Sequence, residues 1–330
     1  MNRTWSLLPL YLCLLHWGIS TLFSRSKPYP PPLPSQSCVL ITGCSSGIGK
    51  SAALHLVSKG YYVFAGVRSL NDAKMLTREF EEIKDMDEHT SEDGIIFPVM
   101  LDVTREDNID EAYEEVEHLC GEGRNLVALI NNAGMQQITP MEYVPLDAMK
   151  FAFDVNVFAP VALVQKFLPM LKKSGSARRI INIGSASSFL TPPFYGVYAS
   201  TKVALETIND ALRVELNQFN VSVSLLQPGS TSTEIEGKML AQAKAIIEDD
   251  SQIDYAPRMF RMSHALEWLS GYPPLAHLLF TDVKYTTQAI VDALESERPK
   301  TKYIVGWDAE VFKFAVFLPD RIVDWVLGFL

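Results

Sequence analysis

The chain has 330 residues, of which 48% are hydrophobic and 21% charged, a composition typical of a folded globular protein and not of a disordered one. Its net charge of -10 argues against nucleic-acid binding, because that activity depends on clustered lysines and arginines that neutralise phosphates. The length suits one large α/β core with a short appendage.

The first residues form an apolar run that indicates a membrane segment. From Trp5 to Phe23 no side chain carries a formal charge, and nineteen such residues can cross a bilayer as a helix. We therefore interpret residues 1–27 as a membrane anchor, with a secretory signal peptide cleaved near Ser20 as the alternative. A proline-rich stretch then predicts a stiff linker over residues 28–36.

The four cysteines form no C-x-x-C pair. This spacing indicates neither a metal site nor a disulfide framework. We interpret Cys13, Cys38, Cys44 and Cys120 as free thiols.

Beyond the linker, short apolar runs alternate with amphipathic stretches. Repeated strand–helix–strand units predict a Rossmann-type, doubly wound parallel sheet in a single catalytic domain over residues 37–330. Residues 234–282 break the rhythm and form either a helical lid over the ligand or an ordinary pair of surface helices. The predicted strands are Cys38–Thr42, Tyr61–Val67, Ile95–Leu101, Leu126–Asn131, Arg179–Gly184 and Val221–Gln227.

A glycine-rich turn follows the first predicted strand and opens a helix. Its glycines permit a tight turn, let the backbone approach a pyrophosphate, and leave the helix amides facing that anion. The spacing G-x-x-x-G-x-G differs from the more general G-x-G-x-x-G, so the loop alone is weak evidence for a dinucleotide site. Its candidate cofactor contacts are Thr42, Gly43, Ser45, Ser46, Gly47, Ile48 and Gly49.

Together with the motifs that follow, this loop resembles that of the short-chain dehydrogenase/reductase family. The motifs are Asn131-Asn132-Ala133-Gly134, Ser185, Tyr198 with Lys202, and Pro228-Gly229 with Thr233. The resemblance spans about residues 37–307 and implies an oxidoreductase that moves a hydride between a nicotinamide cofactor and an alcohol or carbonyl. It assigns cofactor contacts to Asn131, Ala133, Gly134, Tyr198, Lys202, Pro228, Gly229 and Thr233. Thr233 also opens a capping-box sequence, and the two roles are compatible.

Tyr198 and Lys202 stand four residues apart, so on a helix they share one face. A nearby cation favours the phenolate, and we expect Lys202 to lower the pKa of Tyr198 and so fit it for proton transfer. A chance pair on a helix surface is the alternative. Ser185, thirteen residues upstream, has the family's spacing and would hydrogen-bond the substrate oxygen, whereas Ser187 and Ser188 are interpreted as loop-capping hydroxyls.

Asn156 is the fourth catalytic candidate suggested by the resemblance. It lies in a long helical pattern from Leu146 to Lys173, where asparagine is intrinsically unfavourable. Pro160 has no amide to bond the carbonyl of residue 156, so we expect a kink and a freed carbonyl that holds a water in a proton relay through Lys202. A kink that serves packing alone is the alternative.

The second predicted strand ends at Val67-Arg68, where a carboxylate would favour NAD and an arginine accommodates the phosphate of NADP. Arg68 and the hydroxyl of Ser45 therefore favour NADP(H), with NAD(H) acceptable if Arg68 only solvates the strand end. By the resemblance, Asp102 contacts the adenine. Alternatively it caps the next helix, which Thr104 can do unaided.

The carboxyl-terminal tail resembles that of membrane-associated retinol and hydroxysteroid dehydrogenases. It is unusually apolar, and four roles are open for it. It either lies against a membrane, forms a homo-oligomer contact, covers the pocket, or packs as a terminal helix. Two apolar ends favour a lipophilic substrate, a steroid or retinoid, at a membrane such as the endoplasmic reticulum. A 3-hydroxybutyrate-type substrate held by Arg258, Arg261 and His264 is the weaker reading, and an inactive cofactor-binding scaffold is the rival of another class.

Overall fold

The computed structural model describes residues 28–86, 90–121, 123–175, 177–231 and 281–328. The predicted membrane segment at residues 1–27 lies outside this set, as do Cys13 and Thr233. So does the predicted lid, apart from its last residues, with the candidate anion partners at positions 258, 261 and 264.

Seven parallel strands form one sheet in the order β3-β2-β1-β4-β5-β6-β7, which confirms the Rossmann-type prediction. All six predicted strands are present, each within one residue of its predicted ends. The seventh was not predicted, because it is a four-residue edge strand too short to show a periodicity. The strands are β1 Ser37–Ile41, β2 Tyr62–Val67, β3 Ile95–Met100, β4 Asn125–Asn131, β5 Arg179–Ile183, β6 Ser222–Pro228 and β7 Lys302–Val305.

Helices cover both faces of the sheet. Leucine, isoleucine and alanine side chains of α1, α2 and α7 pack on one face, and those of α3, α5 and α6 pack on the other. The helices are α1 Gly47–Ser58, α2 Leu70–Met86, α3 Glu106–Cys120, α4 Leu146–Phe153, α5 Ala159–Lys173, α6 Gly196–Leu216, α7 Val283–Glu295, α8 Trp307–Ala315 and α9 Asp320–Gly328. Both faces of the central strands are thereby buried, which explains why their sequences read as continuous apolar runs.

The predicted long helix at residues 146–173 is interrupted. A π-helical turn at Asp154–Phe158 separates α4 from α5, and Pro160 stands in the first turn of α5. The irregularity predicted from Pro160 is therefore present. Within the described residues, Leu146–Lys173 is also the one helical run long and apolar enough to cross a membrane, but its α5 part is packed in the core of this domain.

The proline-rich linker touches the domain at the amino-terminal edge of the sheet. The buried Arg179 donates from Nε to the Leu294 carbonyl at 3.1 Å and from Nη2 to those of Ser296 and Pro30 at 3.1 and 3.2 Å. Burial lowers the pKa of Arg179 to about 10, which leaves it charged at neutral pH. A cation surrounded by carbonyls therefore joins the linker to the end of α7.

The prediction of free thiols is wrong for two of the four cysteines. Cys38 on β1 and Cys120 at the end of α3 form a disulfide, with Cα atoms 6.2 Å apart. Their separation of 82 residues offers no local signal, because they meet only once α3 packs on the sheet. Cys44 is a free, buried thiol, as predicted.

Candidate active site

The glycine loop lies where the strand order reverses, since β1 pairs with β2 on one side and with β4 on the other. At such a point helices leave in opposite directions and a crevice opens at the carboxyl ends of the strands. Gly43 and Gly47 have φ of +71° and +58°, a conformation that favours glycine. The candidate site therefore begins at the crevice that the topology creates.

The first turn of α1 presents backbone amides at this crevice. Ser46 is the N-cap residue of α1, and its side chain makes no capping hydrogen bond. Ser45 is exposed, whereas Ile48 packs partly buried against the core, so its amide rather than its side chain is the group available to a ligand. This arrangement suits an anion at the helix N-terminus.

The loop after β4 is fastened to the glycine loop. The Thr42 hydroxyl accepts hydrogen bonds from the amides of Asn132 and Ala133 at 3.0 and 2.9 Å. The Asn132 side chain donates to the carbonyls of Thr42 and Gly43 at 2.9 and 3.0 Å. Asn131 is buried and donates instead to Asn182 on β5, at 2.8 Å. Its side chain therefore ties two strands together, and its predicted cofactor contact stays a prediction.

The proton-transfer candidates meet at the carboxyl end of β5. The Lys202 ammonium is 5.6 Å from the centre of the Tyr198 ring and donates to the Ile183 carbonyl at 2.8 Å. Ser185 shares a side-chain hydrogen bond with Tyr198. The Ser185 hydroxyl also accepts from the Ser187 amide at 3.1 Å, which turns its own proton towards other acceptors. Three of the four predicted catalytic residues thus share one small volume.

The pKa values differ from the sequence expectation for the phenol. Burial raises the pKa of Tyr198, and its hydrogen bonds with Ser185 and Gln136 oppose that rise without cancelling it. Burial lowers the pKa of Lys202 to about 8. A nearby cation alone would lower the pKa of Tyr198, but desolvation is the largest effect on the phenol in the structure. Tyr198 is accordingly protonated at neutral pH.

Asn156, the fourth catalytic candidate, supports the site through the hydrogen bonds of its side chain. The Asn156 side chain is buried, donates to the Met135 carbonyl at 2.8 Å and to the Thr201 hydroxyl at 3.0 Å, and accepts from the Met135 amide at 2.9 Å. A Cβ on Gly134 would lie 3.3 Å from the Asn156 side-chain oxygen and 3.7 Å from the Lys202 ammonium. Asn156 therefore fixes the loop after β4 against α6.

The ends of β2 and β3 bring Arg68 and Asp102 into electrostatic contact. Burial tends to raise the pKa of Asp102, but hydrogen bonds from Thr104 and the charges of Arg68 and Arg105 leave it lowered. Asp102 accepts from the Thr104 amide and hydroxyl at 3.0 and 2.7 Å, so it stabilises the turn before α3. Thr104 does not cap that helix, because the N-cap residue is Arg105.

The loop after β6 is held by Asp308, an aspartate that no sequence motif marks. A Cβ on Gly229 would lie 2.1 Å from the Asp308 carboxylate, which accepts from the Ser230 amide at 2.6 Å. The Gly229 amide in turn donates to the Val305 carbonyl at 2.9 Å. Pro228, the last residue of β6, and Gly229 are thus placed at the same edge of the sheet as Ser185.

Known proteins are similar to this chain in both sequence and fold. Residues 37–244 match the family described as short chain dehydrogenase. An NADPH-dependent 3-dehydrocapnine reductase of Ornithobacterium rhinotracheale is 35% identical over 86% of this chain and 94% of its own. The chain is a short-chain dehydrogenase. It belongs with NAD(P)-dependent dehydrogenases and reductases that act on CH–OH groups.

Other members of the family are also similar over most of this dehydrogenase. Retinol dehydrogenase 8 of Homo sapiens is 33% identical over 79% of this chain and 78% of its own. The 17-beta-hydroxysteroid dehydrogenase type 6 of Mus musculus is 30% identical over 88% and 87%. A crystal structure of a short-chain dehydrogenase from Streptomyces avermitilis has a TM-score of 0.66 at 22% identity, covers 87% of this chain and 93% of its own, and shows the same fold.

A nicotinamide dinucleotide fits the residues present in this dehydrogenase. The first turn of α1 presents its amides beside the glycine loop, and a Cβ on Gly134 would lie 3.7 Å from the Lys202 ammonium. Arg68 and Asp102 lie at the ends of the strands on the far side of the loop. A charged pyrophosphate, a ribose and an adenine would therefore each meet groups of suitable chemistry.

Sequence reasoning did not single out three residues that shape the site. Asn132 lies within the predicted motif, but its carbonyl partners on the glycine loop become evident only in three dimensions. Gln136 follows the same motif and hydrogen-bonds Tyr198, and Asp308 lies 79 residues beyond Gly229. Position in the strand-end loops is a usable signal for Gln136, whereas Asp308 has no sequence signal.

Proposed function

We propose that this dehydrogenase uses NADP(H) to interconvert the alcohol and carbonyl of a lipophilic substrate of the steroid or retinoid class. The observation that carries the proposal is the convergence of Ser185, Tyr198 and Lys202 at the mouth of the crevice that begins at the glycine loop. Relatives named retinol dehydrogenase and hydroxysteroid dehydrogenase support the substrate class. The same convergence argues against an inactive scaffold, which has no need of a proton-transfer group.

In the proposed mechanism, Tyr198 gives the phenolic proton to the substrate oxygen during reduction and takes it back during oxidation. Ser185 donates a hydrogen bond to the same oxygen and stabilises the charge that develops there. The nicotinamide, when bound, supplies or accepts the hydride. Because the raised pKa keeps Tyr198 protonated at neutral pH, the site suits the proton-donor role that the reduction requires.

Lys202 is proposed to hold the ribose of the cofactor and to restore the proton of Tyr198. Its ammonium lies beside the Tyr198 ring and next to the position of Gly134. A water bound to the Asn156 carbonyl would complete the proton relay, since Pro160 has no amide to bond that carbonyl.

The preference for NADP(H) is supported by Arg68. This exposed guanidinium follows β2, where a carboxylate would repel the added phosphate, and the NADPH-dependent relative is consistent with it. Glycine-loop contacts are proposed for Thr42, Gly43, Ser45, Ser46, Gly47, Ile48 and Gly49, with Asp102 at the adenine and Ala133, Gly134, Pro228, Gly229 and Thr233 towards the nicotinamide.

The catalytic proposal is tested with the purified full-length chain in detergent. Steroid and retinoid carbonyls are assayed with NADPH, first with wild type and then with Tyr198→Phe. We expect turnover to fall about 100-fold or more while the NADPH dissociation constant stays within about twofold. Unchanged turnover in Tyr198→Phe would refute the mechanism, and turnover of 3-hydroxybutyrate alone would refute the substrate class.

The cofactor preference is tested with Arg68→Ala. Loss of a charge-assisted phosphate contact should lower kcat/KM with NADPH about 10- to 100-fold and leave NADH almost unaffected. Arg105→Ala is the matched control, because Arg105 is another exposed cation near Asp102 but pairs with Asp107 at 2.5 Å. Equal losses of kcat/KM with NADPH in both variants would refute the proposal that the arginine after β2 selects NADP(H).

We also propose that the domain is tethered to the endoplasmic reticulum membrane through residues 1–27 and linker 28–36. Exposed apolar side chains on α8, on α9 and in the turn between them support contact with lipid: Phe314, Phe317, Ile322 and Trp325 are 68%, 79%, 47% and 67% exposed. Alkaline-carbonate extraction should leave the full-length chain in the membrane pellet. A soluble, shortened product would favour the cleaved signal peptide instead.

A further inference from the structure

A chain of buried and half-buried side chains links β7 to the turn that carries Ser185. The Lys302 ammonium is 2.6 Å from one carboxylate oxygen of Glu206, and the other oxygen accepts from Gln227 Nε2 at 3.1 Å. The same nitrogen donates to the Ser188 hydroxyl at 2.8 Å, and that hydroxyl donates to the Ser185 carbonyl at 2.9 Å. We name Glu206, Gln227 and Ser188 the support chain.

The charge of Glu206 sets the direction of every hydrogen bond in the support chain. An ionised carboxylate only accepts, so Gln227 must turn its nitrogen towards Glu206, and both of its amide protons are then used. Ser188 must accept from Gln227, which leaves its single proton for the Ser185 carbonyl. The order of the chain therefore begins at the ion pair between Lys302 and Glu206.

The arrangement leaves one buried atom unsatisfied. Gln227 is fully buried, and within the described part of the protein its side-chain oxygen has no hydrogen-bond partner. An unpaired buried carbonyl costs free energy, but rotating the amide would put that oxygen against the carboxylate of Glu206 and cost more. The polar core at this position is therefore maintained at the expense of stability, which is characteristic of a functional constraint.

The position of the support chain connects it to the reacting groups. Glu206 lies on α6 four and eight residues after Lys202 and Tyr198, on the same helical face. Ser188 closes the 3₁₀ turn that begins directly after Ser185. The chain thus joins the helix that carries the proton donor to the turn that carries its hydrogen-bond partner, and it does so on the side away from the glycine loop.

We propose that Glu206, Gln227 and Ser188 are positioning residues for the reaction, which hold the Ser185 hydroxyl at the distance from Tyr198 that proton transfer requires. This inference rests on the proposed function. Since the hydrogen bond with Ser185 opposes the burial-driven rise in the pKa of Tyr198, a displaced Ser185 lets that pKa rise further. The support chain therefore acts on turnover and on its pH dependence, and leaves cofactor binding alone.

The test compares three variants of the full-length enzyme. Gln227→Leu removes the central amide, Ser188→Ala removes the last link and serves if the leucine variant does not fold, and Asp210→Asn is the control. Asp210 is the second carboxylate near Lys302, at 3.3 Å, but is not a member of the chain. We expect kcat to fall about tenfold or more in the first two, because small misplacements of reacting groups are costly. The NADPH dissociation constant should change less than about twofold, and the acid-side limb of the oxidation profile, where activity rises as Tyr198 loses its proton, should move to higher pH.

A second readout needs no substrate. Amide hydrogen exchange over residues 185–189 should accelerate in Gln227→Leu and Ser188→Ala and stay unchanged in Asp210→Asn. Wild-type exchange and wild-type kcat in both variants would overturn the inference, as would an equal loss in the control. If Tyr198→Phe is inactive while the two variants match wild type, this inference alone fails; if Tyr198→Phe is active, the proposed function fails with it.

Discussion

Replacing Asn156 with alanine removes three hydrogen bonds at once from the support of the site. The side chain is 1% exposed and bonds the Met135 amide, the Met135 carbonyl and the Thr201 hydroxyl at 2.8 to 3.0 Å. At a net value of about 1 kcal/mol for each buried hydrogen bond, Asn156→Ala should lower the free energy of unfolding by about 3 kcal/mol. That is a large fraction of the stability of an ordinary domain.

Asn156→Asp should not rescue the protein, although it has the same shape. A carboxylate can accept from the Met135 amide, but it cannot donate to the Met135 carbonyl, and two oxygens would then face each other. Urea unfolding followed by tryptophan fluorescence measures both variants against wild type at constant m-value. A loss below about 1 kcal/mol in Asn156→Ala would refute the reasoning, since it would mean that these hydrogen bonds exchange freely with water.

The side chain and the main-chain carbonyl of Asn156 have separable roles. Pro160→Ala supplies an amide where the helix has none, and so competes for the carbonyl proposed to hold the relay water. We expect Pro160→Ala to reduce turnover while the free energy of unfolding changes by less than about 1 kcal/mol. Unchanged turnover in Pro160→Ala would refute the proposed relay, and Asn156 would then act through its side chain alone.

Three further outcomes are expected. Gly49→Ala should destabilise the glycine loop by about 1–3 kcal/mol, because the new Cβ would lie 2.3 Å from the Gly43 carbonyl oxygen. NADPH binding, measured by fluorescence titration, should weaken, and unchanged binding would contradict the close packing. The kcat/KM for reduction should fall as pH rises through about 8, where Lys202 loses its charge, and a profile flat to pH 10 would contradict that assignment. Cys120→Ala should lose about 4.5 kcal/mol by the entropy of an 82-residue loop, and a denaturation midpoint equal to that of the oxidised wild type would show that the disulfide contributes nothing.

The sheet and most of the site were predictable because their signals are local. Each of the first six strands is a continuous apolar run, and Gly43, Ser185 and Arg68 each directly follow one. Parallel strands bring their carboxyl ends to one edge, so residues far apart in sequence become neighbours by topology alone. The irregularity at residue 160 was predictable for the same reason, since proline acts on its own helix.

Long-range contacts were not predictable from the sequence. The partner of Cys38, the role of Asp308 and the docking of the linker on Arg179 each depend on an element more than 70 residues away. The raised pKa of Tyr198 belongs to the same group, because burial is a property of the packed domain rather than of the spacing to Lys202. Asn131 was selected as a motif residue, but its hydrogen bond to Asn182, which joins β4 to β5, was not predictable from the motif.

These contacts explain how a crevice built from loops can hold a reacting geometry. Loops at strand ends are ordinarily the most variable part of such a fold. Here the glycine loop is fastened to the next loop through Thr42 and Asn132, the loop after β6 is fastened to α8 through Asp308, and the turn of Ser185 is fastened by the support chain. Each fastening joins elements that are well separated along the chain, so the site can form only when the strands that carry them have paired. Variants that cut one fastening should therefore lose turnover before they lose the fold.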